Sequence, residues 1–550
     1  MKRIGMRLWP LLAILLLVGG CQAADGIYSV RSFGARGDGQ TLDTDAVNKA
    51  ISAAADSGGG TVRFSAGTYL CYSIHLRSNT TIYLDQGVKI VAAGTNKAGQ
   101  FDPPEPFAWD HYMDFGHSHW HNSLFWGEDL QNVAIEGPGM IWGRGLSHGN
   151  NLHPERKLWP YGLTQDAGVD ATTKPSAEPE FPNPKDALPA GVANKTIALK
   201  NCHNVILRDF SILNGGHFAL LLTAVDNLTI DNLKLDTDRD GMDIDCCRNV
   251  RVSNCSINSP WDDGLCLKSS FGPGYNRSTE NVTITNCFVT GGYEEGTMLD
   301  GTYKKIGLDY SPDHRASRTG RIKFGTESNG GFKNIAISNC VIDNCGGLAL
   351  ESVDGAIIED VAISNLTMRD IVNNPIFIRL GSRLRGPKDQ TVIGAIRRVN
   401  ISNIVVVNSA ARFAGLITGI PGHDIEDLHI SNMQILYPGG VTLKQAATQP
   451  EEQANQYPEP ARFRGMPAYG FFIRHVNGID LTDIDLSYVK QDMRPAFYLD
   501  DVKEADFTHI KAPHAPGRPN IILQNVDGLS IHQYRGVPDC ERDHVGHEQF

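Results

Sequence analysis

The sequence predicts an all-β architecture: a single-stranded right-handed parallel β-helix (solenoid) with an N-terminal capping helix. Three observations predict it. First, one phrase recurs, as Asn204-Val-Ile-Leu-Arg-Asp, Asn227-Leu-Thr-Ile-Asp-Asn, Asn249-Val-Arg-Val-Ser-Asn, Asn281-Val-Thr-Ile-Thr-Asn and Asn334-Ile-Ala-Ile-Ser-Asn. Altered versions start at Asp360, Arg398, Asp427 and Gly478. The first spacings are 23 and 22 residues; later ones lengthen to 32 and 53, as inserted loops would make them. Second, each phrase alternates apolar and polar residues, the period of a half-buried strand. No unit can bury its apolar side alone, so successive units must stack. Third, Gly (57) outnumbers Pro (28) two to one, as suits many tight turns between short strands.

Composition sets the remaining bounds. Hydrophobic residues are 41% and charged residues 20%, which excludes a disordered or collagen-like chain. At roughly 150 residues per domain, 550 residues would make three or four domains. A solenoid lengthens without splitting, so residues 25–550 read as one domain. The net charge of −12 argues against a nucleic-acid partner or a polybasic membrane-surface protein.

Taken in order, residues 1–24 read as a signal peptide. Lys2, Arg3 and Arg7 precede an apolar run, Leu11 to Val18, too short to span a bilayer. Small residues directly before Cys21 resemble a bacterial lipoprotein cleavage site, so Cys21 is expected to carry a lipid anchor in the outer membrane. Ordinary secretion, with cleavage near Ala23 or Ala24, is the alternative. Both place the mature protein outside the cytoplasm, in the periplasm, on the outer membrane or secreted. Asp43 or Thr44 then caps a helix with the stripe Ala46, Val47, Ala50, Ile51 and Ala54, stopped by Gly58-Gly59-Gly60. Such a helix covers the open end of a stack. Strands follow at residues 61–64 and 81–84. Two stretches with little periodicity, 147–190 and 294–319, are expected to be long loops beside a cleft. Ten Cys remain after Cys21, with no Cys-x-x-Cys pair, so neither a zinc site nor a disulfide framework is expected. Cys202, Cys255, Cys287 and Cys340 each follow Asn and read as stacked buried thiols. The vicinal pair Cys246-Cys247 has no sequence explanation.

The chemistry concentrates in adjacent units, Asp240-Gly-Met-Asp243-Ile-Asp245 and Asp262-Asp263-Gly-Leu-Cys-Leu-Lys268. With Met242, Ile244, Leu265 and Leu267 inward, Asp243, Asp245, Cys266 and Lys268 point outward. Asp240 then lies one strand spacing from Asp263, with Asp262 beside them. Three carboxylates this close cannot all ionise cheaply, and at least one pKa should rise. Acid–base hydrolysis of a glycosidic bond needs one protonated and one ionised carboxyl group. Solvated turns and calcium ligation are the competing readings.

These motifs resemble glycoside hydrolase family 28, the polygalacturonases and rhamnogalacturonases that hydrolyse pectin. Phe33-Gly-Ala-Arg-Gly-Asp-Gly and Gly58-Gly-Gly-Thr-Val resemble the cap of pectin-active β-helix proteins, and Glu136-Gly-Pro-Gly-Met-Ile-Trp-Gly an early coil of the family. Asp240-Gly-Met-Asp243 matches its Asn-Thr-Asp-Gly-x-Asp motif, with Asp238-Arg239 in place of Asn-Thr. Asp262-Asp263 matches its paired Asp, with one extra residue in the intervening turn, and Gly325-Thr-Glu327 its Gly-Ser-Glu segment. The resemblance implies inverting hydrolysis of an α-glycosidic bond in rhamnogalacturonan or polygalacturonan. Asp262 would be the general acid, and Asp240 with Asp263 the base, with carboxyl groups about 6.5–9.5 Å apart. It implies no metal and no organic cofactor, a pectic polysaccharide or oligosaccharide partner, and a monomer.

Two departures bear on the substrate. The family's Gly-His-Gly histidine is Gly320 here. Its Arg-x-Lys clamp for a galacturonate carboxylate falls, by strand register, on Ala349 and Glu351. The literal Arg321-Ile-Lys323 lies one coil earlier, with Lys323 in the outward column of Asp243 and Ala349. A neutral sugar such as rhamnose fits this pattern better than plain polygalacturonan. Further substrate contacts are expected from Asp243, Asp245, Lys268, Lys323, Glu327, Glu351 and His217. Arg379, with Arg383 and Arg385, is expected to supply replacement anion binding or to form a solvated basic loop. His117, His119 and His121 alternate, so they would share one face of a strand. With Trp109, Trp120 and Trp126 they read as a sugar-stacking wall, a metal site or plain packing. A calcium-dependent lyase, a non-catalytic glycan-binding protein and a trimeric tailspike-like adhesin remain alternatives.

Overall fold

The structure, a computed structural model, describes residues 26–94, 99–114, 116–147, 188, 191–237, 239–305, 319–410, 412–463 and 465–550. The signal and lipidation readings at residues 1–24 lie outside this set, as does nearly all of the 147–190 loop. Among the described residues, 35 strands join in one sheet that coils as a single-stranded right-handed parallel β-helix. One turn of the coil is three short strands, for example Phe218–Thr223, Asp226–Asp231 and Lys234–Asp236. Each pairs in parallel with its counterpart one turn on: Asp240–Asp245, Arg248–Ser253 and Ser256–Asn258. From residue 357 onward, strands of 12 to 20 residues run through the turns without a break in pairing.

The recurring Asn has a geometric cause. Asn204, Asn227, Asn249, Asn281 and Asn334 all adopt φ of 55–57°, the left-handed region that Asn tolerates better than most side chains. Their amides also stack: Asn227 Nδ2 donates to Asn204 Oδ1 (2.8 Å), and Asn334 Nδ2 to Asn281 Oδ1 (2.8 Å). A second row runs Asn365 to Asn339 (3.1 Å), Asn403 to Asn365 (3.0 Å) and Asn432 to Asn403 (2.8 Å). The inward columns of Leu, Ile and Val form one continuous buried core.

The capping helix is Thr44–Asp56, with Val47, Ala50, Ile51 and Ala54 buried. Asp43 precedes it but does not cap it. Its carboxylate accepts instead from the Arg36 and Gly37 backbone N–H groups (2.7 and 3.0 Å), fastening the Gly-rich turn to the helix. The expected early strands are Gly60–Phe64 and Thr80–Leu84. Cys202, Cys255, Cys287 and Cys340 are buried free thiols, and Cys246 and Cys247 are also free. One loop expectation changes. The 294–319 stretch is not all loop: Tyr293–Glu295 pairs antiparallel with Lys304–Lys305, and residues 306–318 lie outside the described set. The final strand, Cys540–Gln549, folds back antiparallel on Ile521–His532 and covers the last edge, a device with no repeat signature. No described helix is long and apolar enough to cross a membrane.

Candidate active site

The first strand of each turn forms one face of the coil. Its central outward column reads Ala198, Leu221, Asp243, Cys266, Lys323, Ala349, Phe377, Leu416 and Phe472. The expected column of Asp243, Lys323 and Ala349 is therefore present. Outward residues of this face are buried, because two segments roof it. One carries Glu105, Asp114, His117 and Trp120. It docks through Asp114 N–H to Glu327 Oε1 (2.8 Å) and Trp120 Nε1 to Thr223 Oγ1 (3.1 Å). The other is 447–463, held where Arg379 donates to the Glu452 carbonyl (2.5 Å) and Arg474 to the Pro450 carbonyl (3.0 Å).

Asp240 and Asp263 are brought side by side by the Asp-Gly steps. A Cβ on Gly241 would stand 2.3 Å from the Gly264 carbonyl oxygen, so only glycine lets these turns nest. Gly241 N–H donates to the Asp263 carbonyl (3.0 Å), fixing the register. Both aspartates are 2% exposed, whereas the Asp262 side chain is 24% exposed and faces the open side. One oxygen each from Asp240 and Asp262 and a ring nitrogen of His217 lie within 4.8 Å of one another.

The three carboxyl groups have different electrostatic settings. Burial, then the adjacent Asp262 and Asp243 charges, push Asp240 well above the usual carboxylate range. Burial also acts to raise Asp263, but Lys323 (3.0 Å) and Arg321 (2.8 Å) overcome it and hold Asp263 well below that range. Asp262 is paired with Arg239 (2.6 Å). Burial and the neighbouring charges thus favour the protonated form of Asp240, which lies deeper than Asp262.

The other expected contacts form two networks. Lys323 and Arg321 also reach Glu351 (3.6 and 3.8 Å), and Arg321 reaches Glu459 (3.7 Å). Burial leaves Glu351 raised to about 7 despite these cations. Lys268 lies 3.4 Å from Glu327 and 3.8 Å from Asp243. Burial opposes its charge, but Asp243 foremost holds it well above the usual lysine range. Asp245 is tied to Ser270 through the backbone N–H (2.8 Å) and hydroxyl (2.6 Å), and so serves the turn. His217 Nε2 is 3.8 Å from Asp240 Oδ2; burial and then Arg239 push its imidazole well below its usual range, so it is neutral.

Three expectations are corrected. Arg379 is buried and donates to Thr418, Gly419 and Glu452, so it holds the roof rather than a substrate anion. Arg383 and Arg385 are likewise paired, with Asp354 and Asp114. His117, His119 and His121 share no strand face, since residues 116–122 are turns and bends. Trp120 is fully buried under Phe107 and Lys200 and is no stacking wall. Trp126 is stacked on His121 (3.9 Å), and Trp109 remains partly open beside Phe271.

The residue underweighted by sequence reasoning is His117. It is buried, with Nε2 2.8 Å from Asp243 Oδ2 and Nδ1 3.2 Å from Glu327 Oε2. Donor atoms of Asp114, His117 and Glu327, and of His117, Asp240 and Asp243, gather within 4.8 Å. Lys268 already faces Glu327 and Asp243, and Arg385 faces Asp114, so we assign no metal ligand among them.

Known proteins supply a context for this arrangement. The family described as Rhamnogalacturonase A/epimerase, pectate lyase-like, matches residues 27–149. A probable polygalacturonase of Vitis vinifera is 23% identical over 432 residues, covering 74% of each chain. The chain is thus similar in sequence to polygalacturonases. An exo-poly-alpha-D-galacturonosidase of Dickeya chrysanthemi is 23% identical over 315 residues, covering 52% of this chain and 49% of that relative. The family 28 exopolygalacturonase of Yersinia enterocolitica shares the fold, with a TM-score of 0.59 at 17% identity, over 90% of this chain and 79% of its own.

Proposed function

We propose that this protein is a glycoside hydrolase that cleaves an α-linked bond in pectin by single displacement, with Asp240, Asp262 and Asp263 as its reacting carboxyl groups. One observation carries the reading: carboxyl groups from adjacent turns converge while their surroundings drive two of them apart, Asp240 toward the protonated and Asp263 toward the ionised form. Asp240, where the protonated form is favoured, has an oxygen within 4.8 Å of one of Asp262 and supplies it with a proton. Asp262, the more exposed of the two, delivers that proton to the leaving oxygen as the bond from the anomeric carbon breaks. Asp263 takes a proton from the water that forms the new bond at that carbon. The proton released to Asp263 returns to Asp240 through solvent, and the site is restored.

We further propose rhamnogalacturonan over polygalacturonan, with a neutral sugar beside the cleaved bond. Among the described residues of the site face, Arg321, Lys323, Lys268 and Arg239 each already face a carboxylate. A uronate in the same place would have to compete for them. Such a substrate accords with a location outside the cytoplasm. Product analysis on homogalacturonan, rhamnogalacturonan and short oligomers, with Asp262→Asn beside the parent protein, tests the reading. Hydrolytic products with inverted anomeric configuration, lost in the variant, support it. Unsaturated products that vanish in chelator would instead indicate a lyase, and binding without turnover a glycan-binding protein.

A further inference from the structure

We propose that His117 is a positioning residue for this reaction, delivered to the site by the roof segment and acting through Asp243 on Asp240; the inference rests on the hydrolase reading above. Its starting point is a vacancy. Position 320, one turn beyond Asp263, cannot carry a side chain: φ is +48°, and a Cβ would stand 2.6–2.8 Å from the backbone of Thr290 and Gly291. A histidine reaches the face by another route. His117 lies 126 residues before Asp243 in sequence, yet its Nε2 is 2.8 Å from Asp243 Oδ2.

The two ring nitrogens address carboxylates from different turns, Asp243 on the Asp240–Asp245 strand and Glu327 on the Ile322–Ser328 strand. A carboxylate only accepts, so the ring donates N–H from Nε2 to Asp243, while Glu327 lies close to Nδ1 without a hydrogen bond. Lys268 bridges the same two carboxylates from the turn between them. The ring also packs on Phe218 (4.5 Å), which pairs in register with Asp240 and stacks on His217 (4.2 Å). His117 therefore touches both the carboxylate next to Asp240 on its own strand and the aromatic wall beneath it. Asp114 and Arg385 flank it through Glu327 and the roof. Loss of the ring would let Asp243 rotate and admit water beside Asp240, while leaving Asp262 and Asp263 in place.

The two amide side chains separate its two contacts. His117→Gln keeps a donor near the Nε2 position, facing Asp243; His117→Asn keeps one near Nδ1, facing Glu327. The full chain is assayed on the pectic oligomer that the parent protein cleaves best, with Asp262→Asn and Asp263→Asn alongside. We expect His117→Ala to lose about 100-fold in kcat, the scale of a misplaced reacting group, with KM within about threefold. His117→Gln should recover most of that loss and His117→Asn little. Melting temperature is read for each variant. If kcat in His117→Ala stays within threefold of the parent while both aspartate variants are inactive, the positioning role is overturned and the hydrolase reading stands. A Gln variant no better than Ala also overturns it, since the ring would then serve packing alone. If the aspartate variants retain full activity, or no pectic oligomer is cleaved, the hydrolase reading fails and takes this inference with it.

Discussion

Two strands of one turn show how a single repeat yields two surfaces. Asp240–Asp245 is buried at every position, whereas Arg248–Ser253, only two residues further on, alternates buried and open. Each turns an apolar column inward and pairs in parallel with the neighbouring coil. They differ in what lies above. The outward Arg251 is exposed, and Arg248 is half-exposed beside Glu280, so both charges reach water. Asp240, Asp243 and Asp245 lie under the roof, where each charge needs a partner or a proton. The comparison teaches that coil geometry places the carboxyl groups, while burial under the roof and the charges of neighbouring turns set their proton affinities.

The largest expected effect breaks the roofed side. Asp262→Asn and Asp263→Asn should each lower kcat by about 10²- to 10⁴-fold, the range of a lost acid or base. Only Asp263→Asn should also unfold readily, because it strands Arg321 and Lys323 in a buried setting, at a cost of about 3–5 kcal/mol in denaturant titration. Equal stability of the two variants would contradict the depth difference between these neighbours.

Charge coupling under the roof is tested by Arg239→Gln. The Arg239 cation disfavours a proton on Asp240, so its removal should raise the proton affinity of Asp240. The alkaline limb of the kcat/KM profile should then move to higher pH; a limb that stays put or moves down would argue against Asp240 as the source of the proton. Asp263, held below its unfolded value, contributes stability that is present above pH about 4 and lost only as pH falls through its lowered folded value. Acid unfolding of Lys323→Met should accordingly begin at higher pH than in the parent.

On the open side, Asn227→Ala should cost about 1 kcal/mol, from a left-handed residue without its amide. Asn227→Gly keeps the backbone and should cost less, which separates conformation from the amide row. The smallest effect belongs to Glu351. Its folded value of about 7 exceeds its unfolded one, so its share of stability is full below pH about 4 and is lost by pH about 7. Glu351→Gln should flatten the melting-temperature profile across that window, with little change at its acid end.

The open side was legible because its signal is local. Asn at the left-handed corner and alternation along each strand are dictated within one phrase, and they place Asp240 opposite Asp263 by register alone. The capping helix was equally plain from its stripe, although Asp43 turned out to bind the Gly-rich turn. The roof was not legible. Residues 99–122 and 447–463 have no period, and the partners of His117, Trp120 and Arg379 lie 126, 103 and 73 residues away along the chain. Three alternating histidines read as a strand face when only chain reversal decides where each ring lands. The proton preference was illegible for the same reason, since it depends on Arg239, Arg321 and Lys323 arriving from separate turns.

The stacked amides of the turns carry a direction as well as a spacing. Asn132 donates to Asn79, Asn204 to Asn132, Asn227 to Asn204, and farther along Asn281 to Asn249 and Asn334 to Asn281. Every N–H in these contacts points toward the earlier coil and every oxygen toward the later one. Reversing one amide within the run would set N–H against N–H on one side and oxygen against oxygen on the other. The spine is thus a row of aligned dipoles whose members choose their orientation together.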